Sequence, residues 1–316
     1  MPLTRVEPER FTAFTHLDLE LSPGINVLIG ANGTGKTHLL KVCYAACDVS
    51  KHDIPFSKKL VCVMRPSSDK PGRLVQRSVG NSSGTVTVHR GDMKLAVTFS
   101  RRAHKLPSGG KDAERWASRP IESVYIPVKE MLANAPGFRS LYIEREIHFE
   151  EVYKDILDRT YLPPKQGPID QNRQNLLDGL GDVIGGKIKV SDEEFFLRDR
   201  SGNLEFMLLA EGMRKLGLLW LLIQNGILGE SSILFWDEPE ANMNPSLVGT
   251  LMNFLLELQR DGVQVFIATH SYVVLKELDL CIKDDDQVMF HSLHRKEDNG
   301  DIVCGTASSL QTFIRI

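Results

Sequence analysis

This sequence has few cysteines, no long apolar run and no apolar N-terminus. Its 5 cysteines include no C-x-x-C pair, and an odd count in a long chain argues against a disulfide framework. The longest nearly unbroken apolar run, residues 216–223, is far shorter than the roughly 18 residues of a membrane span. The first residues lack the apolar core of a signal peptide. We therefore expect a cytoplasmic protein with buried, unpaired thiols and no membrane partner.

The net charge is also small, at −3, so any contact with nucleic acid needs a local basic patch rather than a global basic surface. Hydrophobic residues make up 42% of the chain and charged residues 25%, as in ordinary globular proteins, which excludes the disordered and fibrous classes. At about 150 residues per domain, a chain of 316 residues corresponds to one large domain or two modest ones.

A glycine-rich loop follows a short apolar run at residues 27–29 and precedes a helix predicted over residues 37–46. It has the form G-x-x-x-x-G-K-S/T and reads Gly30-Ala31-Asn32-Gly33-Thr34-Gly35-Lys36-Thr37. In such a P-loop the backbone N–H groups face phosphates, the lysine reaches the β- and γ-phosphates, and the hydroxyl holds Mg²⁺. A glycine-rich turn that only caps a helix is the alternative. The order of strand, loop and helix favours a nucleoside triphosphate site formed by Asn32, Gly33, Thr34, Gly35, Lys36 and Thr37.

Two further apolar strands end in chemically active residues. Residues 233–236 precede Asp237 and Glu238, the pattern of a Walker B strand, in which the first acid holds Mg²⁺ through water and the second polarises the attacking water. Residues 263–268 precede the T-H-S sequence of His270, whose neutral imidazole can sense the γ-phosphate and orient Glu238. The alternatives are a core strand with an acidic helix cap and a structural histidine. With the P-loop, the pattern predicts Lys36, Glu238 and His270 as catalytic residues and Thr37 and Asp237 as metal ligands.

Short β-rich stretches dominate the first part of the chain after the P-loop. The stretches at residues 60–64, 84–89 and 94–98 are separated by turn residues and predict an antiparallel subdomain. Before the P-loop, alternation of apolar and polar residues predicts one half-buried strand over residues 11–21. A buried strand is predicted over residues 121–126.

Helical spacing at residues 141–161 and 171–184 predicts a helical insertion that is too short for a long coiled coil. After it, strands and helices alternate, as expected for the parallel sheet of a P-loop core. We divide the chain into a first ATPase lobe (residues 1–134), the helical insertion (135–186) and a second ATPase lobe (187–316).

These motifs, in this order, resemble the ABC-type ATPase superfamily in its branch of SMC, RecF and OLD-like proteins. The likeness covers roughly residues 1–50 and 190–316. The D-loop of this branch is matched by Asp237-Glu238-Pro239-Glu240-Ala241-Asn242-Met243-Asn244-Pro245, and its switch histidine is matched by His270. The resemblance implies an α/β P-loop fold of the ABC-ATPase type, with an antiparallel β-subdomain and a short helical insertion, that binds ATP and Mg²⁺.

The signature motif of this superfamily binds the γ-phosphate of the opposite subunit's nucleotide, so the resemblance implies a head-to-tail dimer. Its best match is Leu209-Ala210-Glu211-Gly212-Met213-Arg214-Lys215-Leu216, in which Glu211 and Gly212 contact nucleotide at the start of a helix. Ala210 stands where the family usually has Ser, and Met213 where it often has Gln or Glu. Losing one hydroxyl contact to the γ-phosphate costs about 1 to 3 kcal/mol. We therefore expect slow hydrolysis.

Two other positions are left open. Gln76 lies in the interval of the family's Q-loop, but not at a clear junction of strand and helix. The segment Tyr125-Ile126-Pro127-Val128-Lys129-Glu130 is similar to the I-P-x-x-E/R segment of OLD-like ATPases, and Glu130 belongs either to the site or to the surface.

Residues 101–119 form the local basic patch of the chain. We interpret them as a mobile loop that contacts DNA, RNA or an acidic partner, with a merely solvated loop as the alternative. The basic residues of this stretch are Arg101, Arg102, Lys105, Lys111, Arg115 and Arg119.

The first functional hypothesis is an ATPase switch. ATP closes two copies head to tail, or builds a higher oligomer, Glu238 drives hydrolysis, and a separate effector such as a nuclease or toxin reads the closed state. By resemblance, the setting is DNA repair or antiviral (anti-phage) defence.

The second hypothesis is a nucleotide-bound scaffold that assembles with and holds a partner protein without hydrolysing ATP. Ala210 and Met213 favour it, whereas the intact Glu238 and His270 oppose it. The nucleotide-binding subunit of an ABC transporter is a weaker third hypothesis, because the L-S-G-G-Q form of the signature is absent from the sequence.

Overall fold

The structure, a computed structural model, describes residues 1–77, 82–106, 112–145, 147–168, 170–298 and 300–313. Its strands are β1 (Arg5–Phe11), β2 (Phe14–His16), β3 (Leu19–Glu20), β4 (Ile25–Gly30), β5 (Ser83–Arg90), β6 (Met93–Ser100), β7 (Ser123–Ile126), β8 (Lys187–Ser191), β9 (Glu194–Arg198), β10 (Asn203–Glu205), β11 (Ile233–Asp237), β12 (Gln264–Thr269), β13 (Val288–Arg295) and β14 (Ile302–Ala307). Its α-helices are α1 (Lys36–Asp48), α2 (Phe56–Met64), α3 (Ala113–Ala117), α4 (Phe138–Glu144), α5 (Glu151–Thr160), α6 (Gln171–Ile184), α7 (Glu211–Gln224), α8 (Pro245–Arg260), α9 (Tyr272–Cys281) and α10 (Leu310–Phe313). Short 3₁₀ turns span Ser67–Asp69, Pro71–Leu74, Leu132–Asn134 and Phe206–Leu208.

A 6-stranded sheet in the order β14-β13-β4-β12-β11-β7 forms the centre of the molecule. All neighbouring pairs are parallel except β13 with β14. The P-loop strand β4 and the Walker B strand β11 lie on either side of β12, with Asp237 opposite Ala268 and Ala268 opposite Leu28. Because parallel strands end at the same edge of a sheet, the three motifs are brought together there. The predicted α/β P-loop fold with an antiparallel β-subdomain is confirmed.

Successive residues of the central strands point to opposite faces of the sheet. Val27 and Leu234 lie in one apolar core, together with residues of α6, α7 and α8. Leu28 and Phe235 lie in a second core, together with α1 and the antiparallel strands. The P-loop helix α1 therefore packs on one face of the central sheet. The helix α7, called the signature helix because it carries the predicted signature motif, packs on the opposite face.

The antiparallel subdomain contains β1, β2, β3, β5 and β6. The strands predicted over residues 84–89 and 94–98 are confirmed as β5 and β6. The single strand predicted over residues 11–21 is wrong. Positive φ angles of 47° at Arg10 and 49° at Thr12 turn the chain, so that β1 and β2 form an antiparallel pair instead.

The strand predicted over residues 60–64 is also wrong, because this segment belongs to the helix α2. Phe56, Leu60 and Val63 are buried at helical spacing along its inner face. A short apolar run has the same composition in a buried strand and in a buried helix, so its periodicity alone did not distinguish them.

The helical insertion is composed of α4, α5 and α6. The helix predicted over residues 141–161 is interrupted, because a turn in which Phe149 N–H donates to the carbonyl of Ile147 separates α4 from α5. The helix predicted over residues 171–184 is confirmed, and the side chain of Asp170 caps its start. The domain boundaries at residues 134 and 186 stay a prediction.

The interpretation of residues 101–119 as one mobile loop is wrong for their last part, which contains the helix α3. Trp116 on this helix is 1% exposed and donates through Nε1 to the carbonyl of Ala46, 2.7 Å away. The guanidinium of Arg90 lies 4.3 Å from the centre of the Trp116 ring. Residues 107–111, which include Lys111, lie outside the described residues. Among the described helices, none has the length and apolar character needed to cross a membrane.

Candidate active site

The P-loop turns sharply after β4 because two of its glycines have left-handed backbones, with φ of 79° at Gly33 and 90° at Gly35. A Cβ atom on Gly35 would lie 2.4 Å from Cζ of Phe14, and one on Gly30 would lie 2.2 Å from the carbonyl oxygen of Leu293. No other residue type fits at either position. The loop is thereby closely packed between the antiparallel subdomain and β13.

Lys36 and Thr37 open the helix α1 directly after the loop. The ammonium of Lys36 donates to the carbonyl oxygens of Gly30, at 2.6 Å, and Ala31, at 3.1 Å. The pKa of Lys36 is lowered, because the effect of burial exceeds the opposite effect of the nearby acids, of which Glu238 acts most strongly. Of the other predicted loop residues, Thr34 is buried and donates to the carbonyl of Ala31 at 2.9 Å, whereas Asn32 and Gly33 are exposed.

Asp237, at the end of β11, contacts Thr37, the predicted metal ligand of the P-loop. The hydroxyl of Thr37 lies 3.2 Å from Asp237 Oδ1, and the phenol of Tyr125 donates to Oδ2 at 3.0 Å. The pKa of Asp237 is raised, because the effect of burial exceeds the lowering by the hydrogen bonds from Thr37 and Tyr125. Thr37 and Asp237 are brought together as predicted. Sequence reasoning missed Tyr125, although a polar-tipped aromatic in a buried strand usually has a hydrogen-bond partner.

Glu238 and His270 are also brought together. His270 Nδ1 and Glu238 Oε1 lie 3.1 Å apart, and their side chains are 51% and 26% exposed. Glu238 has a left-handed backbone, with φ of 47°, and its N–H donates to the carbonyl of Ala268 at 2.8 Å. A carboxylate beside an imidazole at a solvent-accessible edge can polarise a water molecule.

The predicted signature residues Glu211 and Gly212 open α7, behind Ala210, whose side chain makes no capping hydrogen bond. A Cβ atom on Gly212 would lie 3.3 Å from Cα of Met243, so this helix start packs directly on the D-loop. Asn242 Nδ2 donates to Glu211 Oε2 at 3.1 Å. These residues adjoin the D-loop and, as the opposite packing of α1 and α7 requires, not the P-loop of the same chain.

Glu130 belongs to neither the surface nor the P-loop. Its side chain is 0% exposed, and its Oε2 lies 2.6 Å from Nε of Arg214. The Nη1 group of the same guanidinium donates to the carbonyl of Leu209 at 2.9 Å. The pKa of Glu130 is raised, because the effect of burial exceeds the lowering by the backbone N–H of Leu132 and by the Arg214 guanidinium. Glu130 thus supports the segment in front of the signature helix.

Gln76 donates through Nε2 to the hydroxyl of Thr15 at 2.9 Å. It lines a cavity of about 680 Å³ beside the P-loop, together with His38 and Arg295. Arg295, which the sequence patterns did not single out, donates to the carbonyl of Gly33 at 2.9 Å and so supports the loop from β13.

Trp236 directly precedes Asp237 on β11 and is completely buried. Its indole N–H has no hydrogen-bond acceptor within the part of the chain that the structure describes. The Walker B strand therefore ends in an apolar environment immediately before its first acid.

Comparison with known proteins identifies the family of this chain. Residues 109–276, more than half of the chain, match the family described as "AAA domain, putative AbiEii toxin, Type IV TA system". The DNA replication and repair protein RecF of Shigella flexneri is 29% identical over 148 residues, which are 46% of this chain and 38% of that protein. RecF of Aliivibrio fischeri is 25% identical over 175 residues, 52% of this chain and 45% of that protein. The chain thus spans less than half the length of these relatives.

Solved structures share the whole fold. An SMC head bound to the C-terminal winged-helix domain of ScpA has a TM-score of 0.61 and 14% identity, with 100% of both chains covered. The SMC head domain of Thermotoga maritima has a TM-score of 0.54 and 14% identity, with 97% of this chain and 99% of that chain covered. At such identity the likeness establishes the fold alone. The chain belongs to the AAA-domain family named above and has the P-loop fold of ABC-type ATPases, which the SMC heads share.

Proposed function

We propose that the protein binds ATP with Mg²⁺ and hydrolyses it, slowly, at an interface between two copies of the chain. The observation that carries this proposal is the meeting of Thr37 and Asp237 at the mouth of the P-loop, 3.2 Å apart. A hydroxyl and a carboxylate oxygen are ligands that Mg²⁺ accepts beside nucleotide phosphates. When bound, the ion would neutralise the charge of the β- and γ-phosphates.

Each residue of the site has a role in this proposal. The N–H groups of residues 32–35 bind phosphate oxygens, and Lys36 exchanges its carbonyl acceptors for the β- and γ-phosphates. Glu238 polarises the attacking water. His270 holds the Glu238 carboxylate from 3.1 Å and faces the γ-phosphate.

The opposite packing of α1 and α7 supports a second copy in the site. The central sheet lies between Gly212 and the P-loop of the same chain, so a local rearrangement does not bring the two together. Met207 and Leu208, just before the signature helix, are each 70% exposed. Exposed apolar side chains beside a helix N-terminus favour a contact that covers them. We propose that Glu211 and Gly212 complete the site of the opposite copy.

The test is phosphate release by the wild type and by Glu238→Gln. We expect slow turnover in the wild type and a loss of roughly 100-fold or more in the variant, with ATP binding retained, because the general base is removed. Glu257→Gln, at an exposed ion pair with Arg260, is the matched control. Hydrolysis is excluded if the wild type releases phosphate no faster than Glu238→Gln while both bind ATP.

A non-hydrolysing scaffold is the second candidate, and the helix start at Ala210 favours it. Ala210 offers no side-chain hydroxyl at a position where the γ-phosphate of the opposite copy would need one. ATP-dependent dimerisation measured by light scattering, without phosphate release, would support the scaffold. We expect Ala210→Ser to accelerate hydrolysis in the enzyme and to leave a scaffold inactive.

We also propose that a separate effector, such as a nuclease or toxin, reads the closed dimer in DNA repair or antiviral defence. The supports are the name of the RecF relatives, the toxin in the family description and the ScpA domain on a similar SMC head. The effector should co-purify with Glu238→Gln in ATP and be absent from Lys36→Ala, which cannot hold the phosphates. A protein retained equally by both variants contradicts an ATP-dependent partner. The cytoplasmic location stays a prediction.

A further inference from the structure

We propose that Glu240 is a positioning residue for His270 and acts through the hydroxyl of Thr269. The contacts that support this proposal do not depend on the function of the protein. Only the kinetic test below rests on the proposed ATPase activity. Glu240 lies in the D-loop, two residues beyond Glu238, and the sequence patterns gave it no role.

The hydroxyl of Thr269 makes contacts on both sides of His270. Its Oγ1 donates to Glu240 Oε1 at 2.5 Å and accepts the backbone N–H of Ser271 at 2.9 Å. Thr269 is 0% exposed and is the last residue of β12, while Ser271 precedes α9. The residues before and after His270 are therefore joined by one hydroxyl group.

The acceptor in this arrangement is a carboxylate, and hydrogen bonds to charged acceptors are shorter and stronger than neutral ones. A hydroxyl that both donates and accepts is held in one rotamer. The His270 side chain, by contrast, is 51% exposed, and within the described residues Ser271 makes no side-chain capping bond at the start of α9. The backbone clamp formed by Glu240 and Thr269 is thus what keeps the imidazole beside Glu238.

Glu240 is itself held from the other side of the D-loop. Lys215, completely buried on the signature helix, donates through Nζ to the carbonyl of Ala241 at 2.5 Å. The N–H of Met243 donates to the Glu240 carbonyl at 3.0 Å. The position of Glu240, and through Thr269 that of His270, therefore depends on contacts with the start of α7.

A direct role for Glu240 is the competing explanation. Its second oxygen, Oε2, is buried without a hydrogen-bond partner in the described ranges, and its charge acts on Lys36. A group that acts directly on substrate needs its carboxylate but not the threonine hydroxyl. A positioning group needs both equally, so replacement of Thr269 separates the two roles.

The kinetic test is a double-mutant cycle of Thr269→Val and Glu240→Ala. We expect each variant to lower kcat by roughly 10-fold to 100-fold with KM for ATP unchanged, because the imidazole is misplaced. The double variant should be no slower than either single one. Thr269→Ser should restore most of kcat. Thr85→Val, which removes a surface pair of threonine hydroxyls with Thr98, is the matched control and should change nothing.

The second test needs no turnover. The full chain is labelled at histidine Cε1, and the His270 resonance is assigned by its absence in His270→Gln. We expect this resonance to shift and broaden in Thr269→Val and Glu240→Ala and to stay in place in Thr269→Ser and Thr85→Val. A His270 signal that both disruptive variants leave unchanged overturns the clamp. So does a Glu240→Ala loss of kcat that Thr269→Val does not share. An inactive wild type refutes the proposed ATPase, whereas the spectra still decide the clamp.

Discussion

Tyr125 donates a hydrogen bond of 3.0 Å to Asp237 Oδ2, while Thr37 lies 3.2 Å from the other oxygen of the same carboxylate. The phenol comes from β7, the strand beside the Walker B strand, and is 2% exposed. The plane of the Asp237 carboxylate is therefore fixed from two sides, by groups that lie 200 and 112 residues before it in the sequence.

Replacing Tyr125 by Phe should loosen this carboxylate. Asp237 Oδ2 would remain buried without its donor, which costs about 1 to 3 kcal/mol in the free energy of unfolding. Urea unfolding measures the cost, and the Mg²⁺ dependence of nucleotide binding reports the effect on the site. Tyr272→Phe, at a side chain that is 55% exposed, is the control and should leave both unchanged. Equal stability of wild type and Tyr125→Phe would contradict the role of the phenol.

Gly35→Ala should abolish ATP binding. The new methyl group would lie 2.4 Å from Cζ of Phe14, at a backbone with φ of 90°. Alanine at a left-handed position destabilises by more than about 1 kcal/mol even without a clash. Titration with a fluorescent ATP analogue provides the measurement. The new methyl group of Gly229→Ala meets no atom of the described residues within 4 Å, and this variant should bind ATP like the wild type. Tight binding by Gly35→Ala would show that the loop rearranges freely.

Glu130→Ala should be strongly destabilising. The substitution removes the carboxylate that lies 2.6 Å from Nε of Arg214 and leaves this guanidinium, which is only 16% exposed, without its partner charge. Removing one partner of a buried ion pair costs about 3 to 5 kcal/mol, which chemical denaturation resolves easily. Asp279→Ala breaks an exposed pair with Lys276 and should cost less than about 1 kcal/mol. A loss at Glu130 as small as this control would mean that the pair adds nothing to the signature segment.

His291 should make the protein less stable as the pH falls. It is completely buried between Asn26 and Thr306, and burial lowers its pKa from 6.5 to about 4. Its stabilising effect is complete above pH 6.5 and is lost as the pH falls toward 4, because the unfolded chain takes up the proton first. The total loss is on the order of 3 kcal/mol.

Urea unfolding between pH 7 and pH 4 measures this loss as a difference between variants. His291→Gln should remove that part of the pH dependence, whereas His294→Gln, at an exposed histidine, should keep it. Parallel pH curves for wild type and His291→Gln would be incompatible with a buried neutral imidazole.

Contact with nucleic acid through residues 101–119 stays a prediction, and Arg102 and Lys105 are exposed there. Reversing both charges with Glu should weaken binding of duplex DNA and flatten its salt dependence, because each phosphate contact releases counterions. Fluorescence anisotropy at low and moderate salt provides the measurement. Unchanged affinity, or no salt dependence in the wild type, would remove this contact.

The central sheet and its active edge could be predicted from the sequence because each strand ends in a distinctive motif. Apolar residues before the P-loop, before Asp237 and before His270 indicate three strands, and parallel strands place their ends together. Contacts within 3.2 Å between Thr37 and Asp237 and between Glu238 and His270 agree with that expectation.

The missed features depend on tertiary contacts that leave no periodic signal. Tyr125 and Arg295 reach the site from strands that are neighbours only in the folded sheet. The helix α2 was predicted as a strand because a short apolar run fits both structures. The turn at Thr12 interrupts a regular alternation, and only its positive φ angle reveals it.

The burial of Trp236 makes the Walker B strand spectroscopically visible. The chain has 3 tryptophans, and the other two, Trp116 and Trp220, are 1% and 3% exposed. Phenylalanine at both of these positions would leave a single indole, directly before Asp237, whose emission reports on its immediate surroundings. Events at the edge of the sheet that carries Asp237 could then be followed in real time by intrinsic fluorescence, with no added dye and no dependence on catalytic turnover.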